Sequence, residues 1–223
     1  MWITRFVVVL AFLALGLVVS PAPLTSKWKH ASGLSGATTW SDGLGGRVVA
    51  LKLAYLLSFA TAWGASLWVT FIGGIIMFRH MPRHQFGNLQ SKLFPVYFRL
   101  VAVCAAACVA SFATLHPWSS ATSRERMQIV SLVLSLTSTL LNLIIFEPLT
   151  IKIMKERHKV EREESIGSEV GVSKNLEAAK RNPQLAKINK KFGKVHGLSS
   201  LSNLLSFGGF AIHSWYLASR LTL

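Results

Sequence analysis

Acidic residues are scarce in this chain: nine Asp and Glu stand against twenty-four Lys and Arg, and Asp42 is the only aspartate. No GxSxG, HExxH, Walker or paired-cysteine zinc spacing occurs, so no motif dictates a reaction and no enzyme or cofactor is expected. Only two cysteines are present, Cys104 and Cys108, both inside an apolar run, which excludes a secreted disulfide framework. Charged residues of either sign make up only 15%, yet the formal net charge is +15 and 51% of residues are apolar, with a mean hydropathy of +0.44. A soluble domain of this make-up would have to hide its surface while its basic residues demand water. The conflict disappears if apolar residues are gathered into spans and basic ones into one set of loops, the pattern of a helical membrane protein. Nucleic acid is not expected as a partner, because the Trp and Phe lie mostly in the apolar runs and not among the basic residues.

Residues 1–20 carry Arg5, an apolar run from Phe6 to Val19 and then Ser20, Pro21 and Ala22, the layout of a signal peptide or a signal anchor. Residues 21–49 are rich in Ser, Gly, Thr and Pro and read as a non-cytosolic linker. Four core spans are expected at about 51–78, 95–115, 127–147 and 198–218, an all-α integral membrane four-helix bundle within residues 50–220. The first span, at ~1.5 Å per residue, reaches ~40 Å and must tilt or project beyond the ~30 Å hydrocarbon layer. Pro95 suits the first turn of the second span, and Glu147 with Pro148 closes the third. Between the last two spans, residues 149–198 form a hydrophilic cytosolic insert. It holds a charged helix over 152–164, a Gly/Ser/Val-rich break and a second helix with Asn182 as N-cap and Pro183 in its first turn. In that second helix Leu185, Ile188, Phe192 and Val195 form an apolar stripe with lysines between, suited to a membrane surface or to docking on the chain itself.

Three patterns single out residues. Ala54, Ser58, Ala62, Ser66, Thr70 and Gly74 recur every fourth position beside a bulky row of Tyr55, Phe59, Trp63, Leu67 and Phe71. A row of small residues lets a second helix approach closely, within the bundle or in a homodimer, and less often lines a substrate groove. Ala102, Ala106 and Ala110 make a second such row, with Cys104 and Cys108 on another face. Cysteines four apart suit a soft metal, and far more often are small packing residues. In the third span Ser131, Ser135 and Thr139 share a face with Ser138 and Asn142 beside it, and the last span carries Ser202, Ser206, Gly209 and His213. Polar side chains at membrane depth face protein or water, so these stripes face the bundle interior. A basic cluster at the cytoplasmic mouth gathers Arg79, Arg83, His84, Lys92, Arg99, Glu147, His196 and Asn203, with Glu147 paired to Arg99 or Arg79. His80 and His84 are four apart, but Arg79 and Arg83 disfavour a cation there, and no metal site is expected.

Counting Lys and Arg orients the chain. The hairpin at 79–94 holds three and the insert twelve, against three in the linker, two in the 116–126 turn and one at the C-terminus, fifteen facing six. The positive excess places hairpin and insert in the cytosol and the C-terminus in the lumen or outside.

The residues Trp63, Gly64, Trp68 to Phe71, Phe78, Arg79, Pro82, Arg83, His84, Phe86, Gly87, Gln90 to Pro95, Tyr97 and Phe98 form a long, nearly contiguous motif. Glu147 with Pro148, Asn182 with Pro183, and His196, Gly197, Ser199, Ser200, Leu201 and Asn203 extend it. Over about residues 50–220 the chain resembles the transmembrane protein 205 family, a eukaryotic four-helix membrane domain of unknown function. A plant branch of that family adds seed-desiccation-type repeats, which this chain lacks. The resemblance implies a multipass protein of the endomembrane system, such as the endoplasmic reticulum, or of the plasma membrane, and implies no settled activity. The expected function is a non-catalytic membrane scaffold or accessory subunit, with a membrane-protein partner or a second copy and anionic lipid head groups against the insert. The alternative is a small-solute, metal or drug transporter, or an accessory to one.

Overall fold

The computed structural model describes residues 40–221, which are helical apart from short connections and one isolated bridge. The chain divides into Met1–Arg47 and Val48–Leu223. The expected leader over 1–20 and the linker up to residue 39 lie outside the described residues. Helix α1, Trp40–Leu67, begins within the expected linker, so residues 40–49 are helical and not extended. A π-helical turn, Trp68–Gly73, joins α1 to α2, Gly74–His80. Helix α3 is Arg83–Leu115 and α4 is Ser123–Leu141. A second π-helical turn, Asn142–Phe146, leads without a break into α5, Glu147–Glu163. After a loop come the short α6, Asn175–Arg181, and the 36-residue α7, Pro183–Ala218.

Three expected boundaries fall elsewhere, and each has a physical reason. Residues 83–94 are not a loop: α3 starts at Arg83, with Pro82 extended at its N-cap and bridged to Val170, and Pro95 lies inside the helix. Packing overrides the missing N–H there. Gly87 is buried under His158 and Met154, and Phe94 meets Tyr97 edge to face and stacks on Phe98 one turn on. Glu147 and Pro148 do not end the helix either. The π turn makes Glu147 N–H bond Asn142 O, five residues back, and this local change of register precedes the proline in the first turn of α5. The third break, near residue 198, is absent because a single seam runs the length of α7. Leu185, Ile188, Phe192, Val195, Ser199, Ser202, Ser206, Gly209 and His213 recur at alternating steps of three and four, apolar in the first half and polar in the second. Asn182 caps α7 as expected, its Oδ1 accepting from Leu185 N at 3.1 Å.

Among the described residues, three helices are long and apolar enough to cross a membrane: Gly45–His80, Arg83–Leu115 and Ser123–Glu163. Their outward faces carry Val103, Ile144, Trp68, Ile76 and Val130, each half-exposed or more, a surface that fits lipid and not water. The residues expected as a fourth span form the second half of α7, laid along α4. Inside, Tyr55, Phe59 and Ala62 of α1 meet Tyr97, Phe98, Val101, Cys104, Ala105, Cys108 and Phe112 of α3, with Leu132 of α4 and Phe210 of α7. One sequence reading is corrected here. Ala106 and Ala110 are exposed, and the face that packs is the one bearing the cysteines. Of the bulky row, Tyr55 and Phe59 belong to the core, where they close an aromatic cluster around His213.

Beyond the apolar helices, α5, α6 and the first half of α7 form a head with its own small core. Val160, Ala178 and Leu185 are buried, with Ile166 and Ile188 against them. The Leu185 stripe is therefore covered by the chain itself and not free for a membrane surface.

Candidate functional site

The hydroxyl stripes of α4 and α7 face one another. Ser135 Oγ donates to Ser206 O at 2.9 Å, Ser202 Oγ donates to Ser138 O at 2.9 Å, and Thr139 Oγ1 lies 2.8 Å from Ser206 Oγ. One turn on, Asn142 is fully buried and reciprocally paired with Ser199: its Nδ2 donates to Ser199 O at 3.1 Å, and Ser199 Oγ donates to its Oδ1 at 2.7 Å. This close approach depends on Gly209, whose missing Cβ would stand 2.6 Å from Ser131 O.

Two further networks tie α1 and α3 to α7. The Tyr97 hydroxyl lies 2.9 Å from Asn203 Oδ1 and 3.2 Å from Ser66 Oγ. A phenol has one proton, so it donates to the amide oxygen and accepts from the serine. Asn203 Nδ2 then donates to Thr70 Oγ1 at 2.9 Å. Near the other end of α7, the buried His213 stands between Gln128, whose Oε1 is 3.0 Å from Nδ1, and the Tyr55 hydroxyl at Nε2. The glutamine oxygen only accepts, so Nδ1 carries the proton and Nε2 accepts from Tyr55.

The head holds a different constellation. The N–H groups of Arg83 and His84 at the start of α3 donate to Glu169 O (3.0 Å) and Gly167 O (2.9 Å), which pins α3 to the loop after α5. His84 Nε2 then lies 2.9 Å from Glu161 Oε2. His158, one turn earlier on the same face of α5, brings its ring to 4.3 Å from that of His84. Both imidazoles occupy space that a side chain would fill. A Cβ on Gly87 would come 2.7 Å from His158 Cε1, and one on Gly167, at φ +107°, would overlap the His84 ring. Glu161 is held from behind: Asn175 Nδ2 donates to Oε1 at 2.5 Å, and Arg157 Nε lies 3.3 Å away, a charge contact more than an aligned hydrogen bond. Asn189 supports Asn175 in turn. A 380 Å³ cleft opens beside His84, lined also by Pro82, Gln85, Arg162 and Ser165–Ser168. Glu169 stabilises the loop. Burial alone would raise its carboxyl, but its own N–H and those of Gly167 and Lys174 hold it below the usual range.

The eight residues grouped at one mouth by sequence have separate surroundings. Arg83 and His84 join the head, where Arg83 also stacks over Phe78. Asn203 belongs to the Tyr97 network, and His196 is exposed and stacked on Phe192. Arg79, Lys92 and Arg99 are exposed. Glu147 is buried and forms no salt bridge among the described residues, so the expected pairing with Arg99 or Arg79 is not a direct ion pair, although the Arg99 charge is near enough to act on it. The reason is that both helices continue well past Arg99 and Glu147, so neither residue marks a helix end to be clamped. In the small-residue row Ala62 and Ser66 are buried, Ser58, Thr70 and Gly74 are half-buried, and Ala54 is exposed. His80 is exposed and is not part of the His84 group. His158 and Glu161 escaped the sequence reading. Their signal is a His and a Glu three apart in the charged helix of the insert.

A family model described as Domain of unknown function (DUF4149) matches residues 57–159. The chain is similar to Transmembrane protein 205 of Danio rerio, with 32% identity over 175 residues covering 77% of this chain and 93% of the relative. No solved structure matches.

Proposed function

The chain belongs to the transmembrane protein 205 family, and from that premise we propose that it is a non-catalytic membrane scaffold or accessory subunit of a membrane complex. In this reading the second half of α7 is a fourth crossing, so residues 50–220 form a four-helix bundle, preceded by a signal peptide or signal anchor over 1–20. The observation that carries the reading is the α4–α7 seam. The side chains of Ser135, Thr139, Asn142, Ser199, Ser202 and Ser206 all bond across the seam, Ser202 to the Ser138 carbonyl, so their polarity is spent in holding two helices together and not in lining a path for a solute. The head joins the hairpin and the insert at one end of the bundle, and these two segments hold fifteen of the Lys and Arg. The positive excess favours that end as cytosolic, in the endoplasmic reticulum or plasma membrane, with the C-terminus lumenal or extracellular. With the apolar stripe of α7 docked internally, its lysines are left outward. Each is worth ~1 kcal/mol near an anionic leaflet, and anionic lipid is the head-group partner of this model.

Crosslinking in native membranes followed by blue-native electrophoresis tests the reading. A scaffold runs in a stable heteromeric complex. A monomer or dimer that moves a solute across reconstituted vesicles overturns it.

A further inference from the structure

The geometry assigns His84, His158 and Glu161 to a binding site for a divalent d-block ion such as zinc, with two imidazole ligands, one carboxylate and a fourth position open to the cleft beside His84. One ligand atom from each of these residues lies within 4.8 Å of the other two. A tetrahedral ion with bonds of about 2.0–2.2 Å holds its donors roughly 3.3–3.6 Å apart, so small side-chain shifts close the set. Two nitrogens and one oxygen suit zinc and its neighbours, whereas calcium and magnesium ask for oxygen alone. The site is built from two rigid helices: His158 and Glu161 share a face of α5 at i, i+3, and the start of α3 delivers His84.

An ion pair between His84 and Glu161 accounts for those two residues but not for the third. His158 is 4% exposed and, among the described residues, forms no hydrogen bond through its ring, although Gly87 keeps a place open for it. A ligand role gives that ring a partner. The back of Glu161 carries the support that metal-binding carboxylates require, from Asn175 and through it Asn189. Positive neighbours are the objection, and two of the three are engaged. Arg157 lies against Glu161 and over the Phe192 ring at 4.1 Å, and Arg83 sits over Phe78 at 4.9 Å and donates to Gly171 O at 3.4 Å. Arg162 is the third, and lines the cleft. The site does not depend on the scaffold reading and stands or falls separately.

The test uses the full chain purified in mild detergent, stripped with chelator and titrated with Zn²⁺, and with Co²⁺ for its visible spectrum. The expected result is one ion per chain, a tetrahedral Co²⁺ spectrum and a melting temperature that rises with Zn²⁺. His158→Ala and Glu161→Gln should each weaken binding by more than about 100-fold, because outer partners alone are worth about 10- to 100-fold. Asn175→Ala, outside the ligand set, should weaken it by about 10- to 100-fold. Cys104→Ser with Cys108→Ser should leave it unchanged. Should His158→Ala fail to fold, His158→Gln is read in its place. A wild-type chain that takes up no Zn²⁺ or Co²⁺, or uptake that persists in the His84→Ala/His158→Gln double variant, overturns the assignment.

Discussion

Gly209→Ala measures how closely α4 and α7 must approach. The added methyl would stand 2.6 Å from Ser131 O and nearer still to Ser135 Oγ. The serine side chain has other rotamers, but the carbonyl belongs to α4 and cannot turn away. An ordinary contact begins at 3.4 Å, so the helices must part by the difference, about 0.8 Å. Overpacking of this kind costs about 1–3 kcal/mol. The parting also stretches the bonds from Ser135 to Ser206 O and from Ser202 to Ser138 O, each worth about 0.6 kcal/mol inside a membrane protein. Against this, alanine improves helix propensity by up to about 1 kcal/mol. The net loss is about 1–3 kcal/mol, a fall in melting temperature of about 2–12 °C for a chain of this size, read by thermal unfolding in mild detergent. Gly208→Ala is the control one residue away: nothing lies within 4 Å of its Cβ position, so it should melt at or above the wild-type temperature. Equal melting of the two variants would mean that α4 and α7 are not in contact at Gly209, and the seam would be wrong.

Three other outcomes follow from the same structure. Ser66 is 2% exposed beside the Tyr97 hydroxyl, so Ser66→Leu should cost about 1–3 kcal/mol without changing the mass seen by light scattering, whereas Leu67→Phe on the exposed face should cost almost nothing; conversion of a dimer to a folded monomer would instead place Ser66 at an oligomer interface. Glu169 has a carboxyl held below its usual range, so its stabilisation is complete above about pH 4.5 and is lost as the pH falls through the folded value; the melting advantage of wild type over Glu169→Gln should be constant near pH 7 and shrink below about 4.5, and a pH-independent difference would refute the linkage. A tag at residue 170 should report the cytosol and one at the C-terminus the lumen or exterior, and efficient glycosylation of acceptor sites placed in 160–175 would invert the topology.

The parts of this molecule that sequence reveals are those set by period. The hydroxyl face of Ser131, Ser135 and Thr139 and the facing row of Ser202, Ser206 and Gly209 are visible as spacing, and the Asn182–Pro183 start of α7 as local chemistry. Boundaries were hidden because Pro95 as a start signal and Pro148 as a stop signal are local cues that packing overrides, with a π turn absorbing the register change before Pro148. Which small face of α3 packs was ambiguous, since alanines and cysteines fit close contacts equally well. In the head, His84 was conspicuous in its motif, but Glu161 lies 77 residues along the chain, and only the fold brings the two to 2.9 Å.

Water access to the α4–α7 seam is the most direct measurement of whether its polar residues bind helices or line a passage. In a Cys104→Ser/Cys108→Ser background, Ser135→Cys, Ser138→Cys and Ser206→Cys are treated in intact membranes with a small water-soluble thiol reagent, which reacts only with a hydrated thiolate. Ser168→Cys, on the exposed loop of the head, is the positive control. A seam closed on itself predicts rapid labelling at 168 and none at 135, 138 or 206 until the membranes are dissolved in denaturing detergent. Labelling at any of these three in intact membranes would show water between α4 and α7 and contradict the scaffold reading in favour of a transport path.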